Sequence, residues 1–368
     1  MSTALSGPAA DLGRNMLLGV RAGLARANRA GGIHGCRLRL VALDDGYEPA
    51  RTAPNMRRLV DEEGVLAVVG NVGTPTAVAA LPIADEARCL LFAPFTGAGV
   101  LRRTPPDRYV INVRASYAEE TAAMVEALAA AGVAPERVAF FTQRDAYGDA
   151  GYAGGIAALR RHGLGREAAV VHTRYERNTV AVENAVADLL LADPEPQAVI
   201  MVGAYAPCAR FIRLVEAAGM DPLFLNVSFV GSASLARELG ETRARVVVTQ
   251  VVPHPEDTSL PLVRDYRRDL ARLERGAAPT FVSLEGYLAA RVLTLALERL
   301  PGPPTREGVV EALEGLGDFD LGLGVPLHLD AREHQACHRV WPTLLEAGRF
   351  RPFDWAELPA LLHRGAGR

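Results

Sequence analysis

The sequence predicts an α/β fold of two open, mostly parallel sheets flanked by helices, on three observations. Short β-rich runs alternate with helical runs from residue 37 to residue 227, the pattern that places helices on both faces of a parallel sheet. The 368 residues exceed one ordinary domain of roughly 100 to 200 residues. The tail reads as an antiparallel meander, which does not suit a closed (β/α)₈ barrel.

Each element follows from local chemistry. Residues 11–29 carry Leu12, Met16, Leu17, Val20, Leu24 and Ala27 at helical spacing and stop at Gly31-Gly32. Strand 37–43 ends in Asp44-Asp45-Gly46, helix 51–62 follows, and strand 65–69, helix 75–87 and strand 89–93 complete a second cycle. Thr74 suits an N-cap and Pro75 a first helical position. A second series opens at Ser116, which with Glu119 has capping-box spacing, and Gly132 closes that helix. Strands 137–142, 168–172, 198–203 and 223–227 then alternate with helices 149–161, 179–191 and 207–218. Strand 246–252 precedes two long helices, 259–273 and 281–300, and short strands are expected at 327–329 and 339–345 before the turn at 346–348.

Composition excludes several classes. With 49% hydrophobic and 23% charged residues the chain is globular. A net charge of -3 without long runs of one sign lacks the footprint of a nucleic-acid binder, although all basic residues are arginine. Apolar runs fall far short of a membrane span. Cys36, Cys89, Cys208 and Cys337 are too scattered for a disulfide framework or a zinc ribbon, and His334, Cys337 and His338 lack a second ligand pair, so no metal or cofactor is expected. Phosphate-loop, zincin, nucleophile-elbow and dinucleotide motifs are absent from the sequence. Asp44 and Asp45 are the best acid pair, but Asp-Asp-Gly is also a common turn, and the chain is expected not to be an enzyme.

Ligands of open α/β sheets collect at the carboxyl ends of strands. The loop Gly70-Asn71-Val72-Gly73-Thr74-Pro75 offers amides and a hydroxyl to a carboxylate, and Pro94-Phe95-Thr96-Gly97 leaves the neighbouring strand. Tyr147, Tyr205 and Ser228 follow strands of the second series. Core packing or capping is the competing reading for each tyrosine and for Phe95.

The markers Leu5-Ser6-Gly7-Pro8, Arg29 to Gly35, Asp44 to Pro49, Ala146-Tyr147-Gly148 and the helix start Phe281 to Arg291 stand in an order that resembles the periplasmic substrate-binding proteins of ABC transporters. The resemblance is to the leucine/isoleucine/valine-binding type, with the type I two-lobe fold. It implies an N-terminal lobe of residues 1–114 and 249–320, a C-terminal lobe of 115–248 and 321–368, three hinge crossovers, and a ligand enclosed as the lobes close. It also implies a monomer that binds no nucleic acid, with membrane permease subunits as partners. The ligand set it implies is Val72, Thr74, Phe95, Thr96 and Gly97 in the first lobe, Tyr147, Tyr205 and Ser228 in the second, and Phe281 as an apolar wall.

Departures from the family pattern matter. An acid that pairs with a ligand ammonium in amino-acid binders falls on Ser228, and the threonine hydroxyl of the clamp falls on Gly97. Disulfide cysteines of some members fall on Tyr47 and Gly73, so Tyr47 is expected to reach toward the ligand. The expected ligand is a small carboxylate-bearing compound, a branched-chain or other apolar amino acid first. Residues 2–5 match the end of the family's first strand, so the rest of that strand and the export signal of a periplasmic protein are expected to lie outside this chain. A cytoplasmic sensor of the same fold, binding amides or aromatic or aliphatic carboxylates, is the alternative.

Overall fold

The computed structural model describes residues 1–363, so the last five residues of the expected second lobe lie outside it. The chain forms two compact units, Met1–Ala115 with Val252–Arg339, and Ser116–Val251 with the chain from Val340. Residues 321–339, expected in the second lobe, belong to the first unit. Asn112 ties them there, donating its amide to the His334 carbonyl and accepting from the Ala336 amide at 2.7 and 2.9 Å.

The first unit opens with β1 (Ser2–Thr3), α1 (Ala10–Arg29) and β2 (Leu43–Asp44). The strand expected over 37–43 shrinks to β2, because β1 offers only two residues for parallel pairing. The Met1 ammonium donates to the Val41 carbonyl at 2.7 Å, and burial pushes its pKa down to about 5. Then follow α2 (Pro49–Arg57), continued by a π-helical turn, and β3 (Ala67–Val69), α3 (Thr74–Glu86), β4 (Leu90–Phe92) and β5 (Val110–Ile111). The last three strands make a parallel sheet.

The second unit begins with α4 (Tyr117–Ala130), whose capping box between Ser116 and Glu119 is present. Next come β6 (Val138–Gln143), α5 (Ala146–Arg161), β7 (His172–Tyr175) and α6 (Glu183–Leu190). Residues 168 and 169, expected to open a strand, belong instead to a 3₁₀ turn at Glu167–Ala169, and the pairing with β6 starts at His172. β8 (Ala198–Val202), α7 (Tyr205–Ala217), β9 (Leu223–Asn226), α8 (Ser232–Leu239) and β10 (Val246–Gln250) complete the series. The short α8 was not legible in the sequence; it starts without a side-chain cap after left-handed Gly231.

The chain returns to the first unit as α9 (Pro261–Leu273), α10 (Phe281–Glu298), α11 (Arg306–Glu314) and the antiparallel pair β11 (Gly317–Phe319) and β12 (Leu327–Leu329). Helix α11 was also missed, although Thr305 caps it by accepting from the Gly308 amide. β13 (Trp341–Glu346), β14 (Arg349–Pro352) and α12 (Leu358–His363) end the second unit. Its sheet runs β14-β13-β10-β9-β8-β6-β7, parallel except at β13 and β14. Among the described residues no helix is long and apolar enough to cross a membrane.

Two glycines set the approach of α1 to α10. A Cβ on Gly19 would lie 1.9 Å from the Ser283 carbonyl oxygen, and one on Gly286 would lie 2.5 Å from that of Met16. The contact is backbone against backbone, with no flexible side chain to yield. Nearby, buried Asp269 accepts from Arg26, Arg29 and Tyr287 and so pins α9 to both helices. Gly286→Ala is therefore expected to destabilise the first unit by about 1–3 kcal/mol, the usual cost of overpacking, read as a lower urea midpoint.

In the second unit His172 stacks on Tyr152, ring centroids 3.8 Å apart, and shares a 2.8 Å hydrogen bond with Thr142. Burial, helped by nearby Arg174, pushes its pKa down to about 4. Because the folded pKa lies below the ordinary value, the unfolded chain takes the proton first. Stability is then full above about pH 6.5 and declines as pH falls toward 4. Urea titrations across this window are expected to show a shallower decline for His172→Gln than for the wild type.

Candidate functional site

The carboxyl ends of β3 and β4 place the first group of residues. The strand pairing extends past both ends as a bridge between Val72 and Phe95, with the Phe95 amide on the Asn71 carbonyl at 2.7 Å. Thr74 was expected to cap its own helix, but Gly73 holds the N-cap position, and the Thr74 hydroxyl lies 2.6 Å from that of Thr96. Two hydroxyls in contact share one proton between them and leave the other free to be donated. Both threonines are buried, as are Val72, Phe95 and Gly97.

Gly73 is required twice over. Its φ is 101°, and a Cβ there would stand 2.0 Å from the Tyr47 ring. Tyr47 is fully buried and packs against Gly73, the neighbour of Thr74. Arg102 fixes the loop after β4, donating to the carbonyls of Thr96, Ala98 and Arg114.

Sequence reasoning missed Arg114. Only 2% exposed, it lies over Phe95 with the guanidinium carbon 5.0 Å from the ring centroid, and Glu285 is 3.4 Å from one of its nitrogens. Glu285 stands one turn after Phe281, whose ring meets His254 edge-on at 5.2 Å. Phe281 itself starts α10 behind a Thr280–Ser283 capping box.

The acid pair Asp44 and Asp45 is engaged in the turn after β2. Burial tends to raise the Asp44 pKa, but hydrogen bonds from Ser6, the Leu5 and Gly46 amides and Arg51 outweigh it and hold the carboxyl well below the usual range. Asp45 is fully buried, its pKa raised by burial, and it accepts from Ser2, Thr52 and the Tyr47 amide. Both carboxylates organise backbone. Among the described residues no cluster of His, Cys, Asp or Glu could hold a metal, and His334 bonds the Val110 carbonyl and Glu314 instead.

In the second unit Tyr147 sits in the first turn of α5. Its ring centroid lies 4.5 Å from that of Phe229 and 5.2 Å from that of Tyr117, and its hydroxyl donates to the Gly203 carbonyl. Asp145 caps α5 and also accepts from Gln143 and Arg177. Its charge is thus already paired. Tyr205 opens α7 and is buried, while the preceding Ala204 amide donates to the Tyr175 hydroxyl.

Ser228 opens a 3₁₀ turn beyond β9, and its partner is Glu120. The Glu120 carboxylate accepts from the Ser228 amide at 2.7 Å, the Ser228 hydroxyl at 2.9 Å and the Thr249 hydroxyl at 2.6 Å. Glu120 is fully buried. In the sequence it is one of two acids in a helix's first turn, and nothing local marks it as buried.

Two α/β units with polar side chains gathered at strand ends define a ligand-binding protein of the two-lobe class. A family model described as periplasmic binding protein matches residues 1–349, and the chain belongs to that family. A solved structure from Rhodopirellula baltica SH 1, titled a possible leucine/isoleucine/valine-binding protein, is 52% identical with a TM-score of 0.94, covering 97% of this chain and 96% of that one. A substrate-binding periplasmic protein from Ralstonia solanacearum is 31% identical with a TM-score of 0.87, covering 96% and 98%. The Leu/Ile/Val-binding protein of Escherichia coli K12 is 25% identical over 257 residues, 67% of this chain and 65% of that protein's length. The fold is the type I periplasmic binding protein fold.

Proposed function

We propose that the chain is an extracytoplasmic solute receptor of an ABC importer. It takes a small carboxylate-bearing ligand, a branched-chain or other apolar amino acid, by closure of its two lobes and presents it to membrane permease subunits. The observation that carries this reading is the buried Thr74–Thr96 hydroxyl pair at the start of α3. A donatable hydroxyl beside free helix-start amides suits a carboxylate. Tyr147 and Phe229 supply an apolar surface of the kind an aliphatic side chain needs. The names of the similar proteins support the same ligand class. With Asp44 and Asp45 held in a turn, the chain transports its ligand unchanged.

A thermal-shift screen of the purified protein against the standard amino acids, their des-amino carboxylates and small amides tests this, since a ligand that binds the folded state alone raises Tm. Leucine, isoleucine or valine is expected to give the shift. A shift confined to amides, or to carboxylates without an ammonium, overturns the amino-acid reading. Thr74→Ala and Tyr147→Ala are each expected to weaken binding of the ligand found by about 1–3 kcal/mol, measured by calorimetric titration; unchanged affinity in both removes these residues from the site.

A further inference from the structure

We propose that Asn226, at the end of β9, binds a single enclosed water molecule that ties the strand to the starts of α7 and α8, an inference that does not depend on which ligand the protein takes. Asn226 is fully buried, and among the described residues neither its Nδ2 nor its Oδ1 has a hydrogen-bond partner. The rest of its sheet behaves differently. Gln143, Gln250 and the buried threonines at 142, 173, 249 and 343 all bond protein groups. A side-chain amide shut away from solvent with nothing to bond is a costly defect, and an ordered internal water is the usual remedy.

The face on which Asn226 stands places the water. Side chains alternate along a strand, so Asn226 shares a face with Phe224, whose ring meets Phe211 of α7 edge-on with centroids 6.5 Å apart. Its register partner on β10 is Val248, and two residues further along that strand Gln250 donates to the hydroxyl of Ser232, the first residue of α8. This face is therefore the one that α7 and α8 cover. Both helices start without a side-chain cap, behind Ala204 and Gly231, and helix starts carry backbone amides that need partners. The amide of Asn226 also selects the occupant. Its nitrogen only donates and its oxygen only accepts, so a cation would satisfy the oxygen alone and an anion the nitrogen alone. Water both donates and accepts, and it is small enough for a fully enclosed place. The turn that carries Ser228 and Phe229 begins two residues beyond Asn226, and the water braces the strand end from which that turn departs.

A crystal structure of the full chain that resolves ordered water tests this. One water is expected within about 3.2 Å of both Nδ2 and Oδ1, with a further bond to backbone at the start of α7 or α8. An amide bonded to protein groups alone, or an ion held by one of its two atoms, overturns the proposal. Urea unfolding of Asn226→Leu gives an independent reading. Leucine is close to asparagine in shape and binds no water. Replacing an amide that has no partner is neutral or stabilising, whereas replacing one that holds a shared water leaves the water's other partners unsatisfied. A lower urea midpoint is expected, and an unchanged or higher one overturns the proposal. Should the variant not fold, the wild-type crystal structure decides by itself, since it needs no substitution. Neither measurement involves the transported compound, so failure here is distinct from failure of the importer reading.

Discussion

Polar side chains at the carboxyl ends of parallel strands are buried in this protein, and burial is tolerable only where each finds a hydrogen-bond partner. That constraint organises both units. In the first, Thr74 and Thr96 satisfy each other across adjacent strands, and Arg102 takes up the carbonyls of the loop that carries Thr96. In the second, Glu120 gathers Ser228 and Thr249, and Tyr175 links Gln143 to the Ala204 amide. Each arrangement holds a loop still at the strand ends. Preorganisation of this kind lowers the entropy lost when a small ligand is taken up.

Backbone packing supports the polar groups from behind. The close approach of α1 and α10 at Gly19 and Gly286 fixes the helix on which Phe281 and Glu285 stand, one turn apart. Glu285 in turn faces Arg114, which covers the Phe95 ring. A methyl group added between the helices would displace α10 and, through that chain of contacts, the loop after β4. Gly73 plays the same part locally, since the Tyr47 ring occupies the space of any side chain there.

Charge is used differently in the two halves of the turn chemistry. Asp44 and Asp45 read in the sequence as the best pair for proton transfer, yet their acceptor positions are filled by Ser2, Ser6, Thr52, Arg51 and backbone amides. Asp145 stands two residues before Tyr147, and Arg177 and Gln143 already occupy it. In each case the partners decide the role of the acid.

Local chemistry by itself determined the alternation of strands and helices, the Ser116–Glu119 capping box, the stop at Gly31-Gly32 and the position of the loops that carry Thr74, Phe95, Thr96 and Tyr147, because period, capping and turn preference act over a few residues. It could not shorten the strand at residues 37–43, since strand length depends on the neighbour available, nor shift residues 321–339 to the first unit. The roles of Glu120 and Arg114 lay beyond it altogether. Glu120 meets Ser228 and Thr249 across 108 and 129 residues of chain. Arg114, in the segment between β5 and α4, meets Glu285 of α10. Whether a charged side chain faces water or becomes buried among hydrogen-bond donors depends on how distant strands and helices converge, and only the tertiary structure decides that.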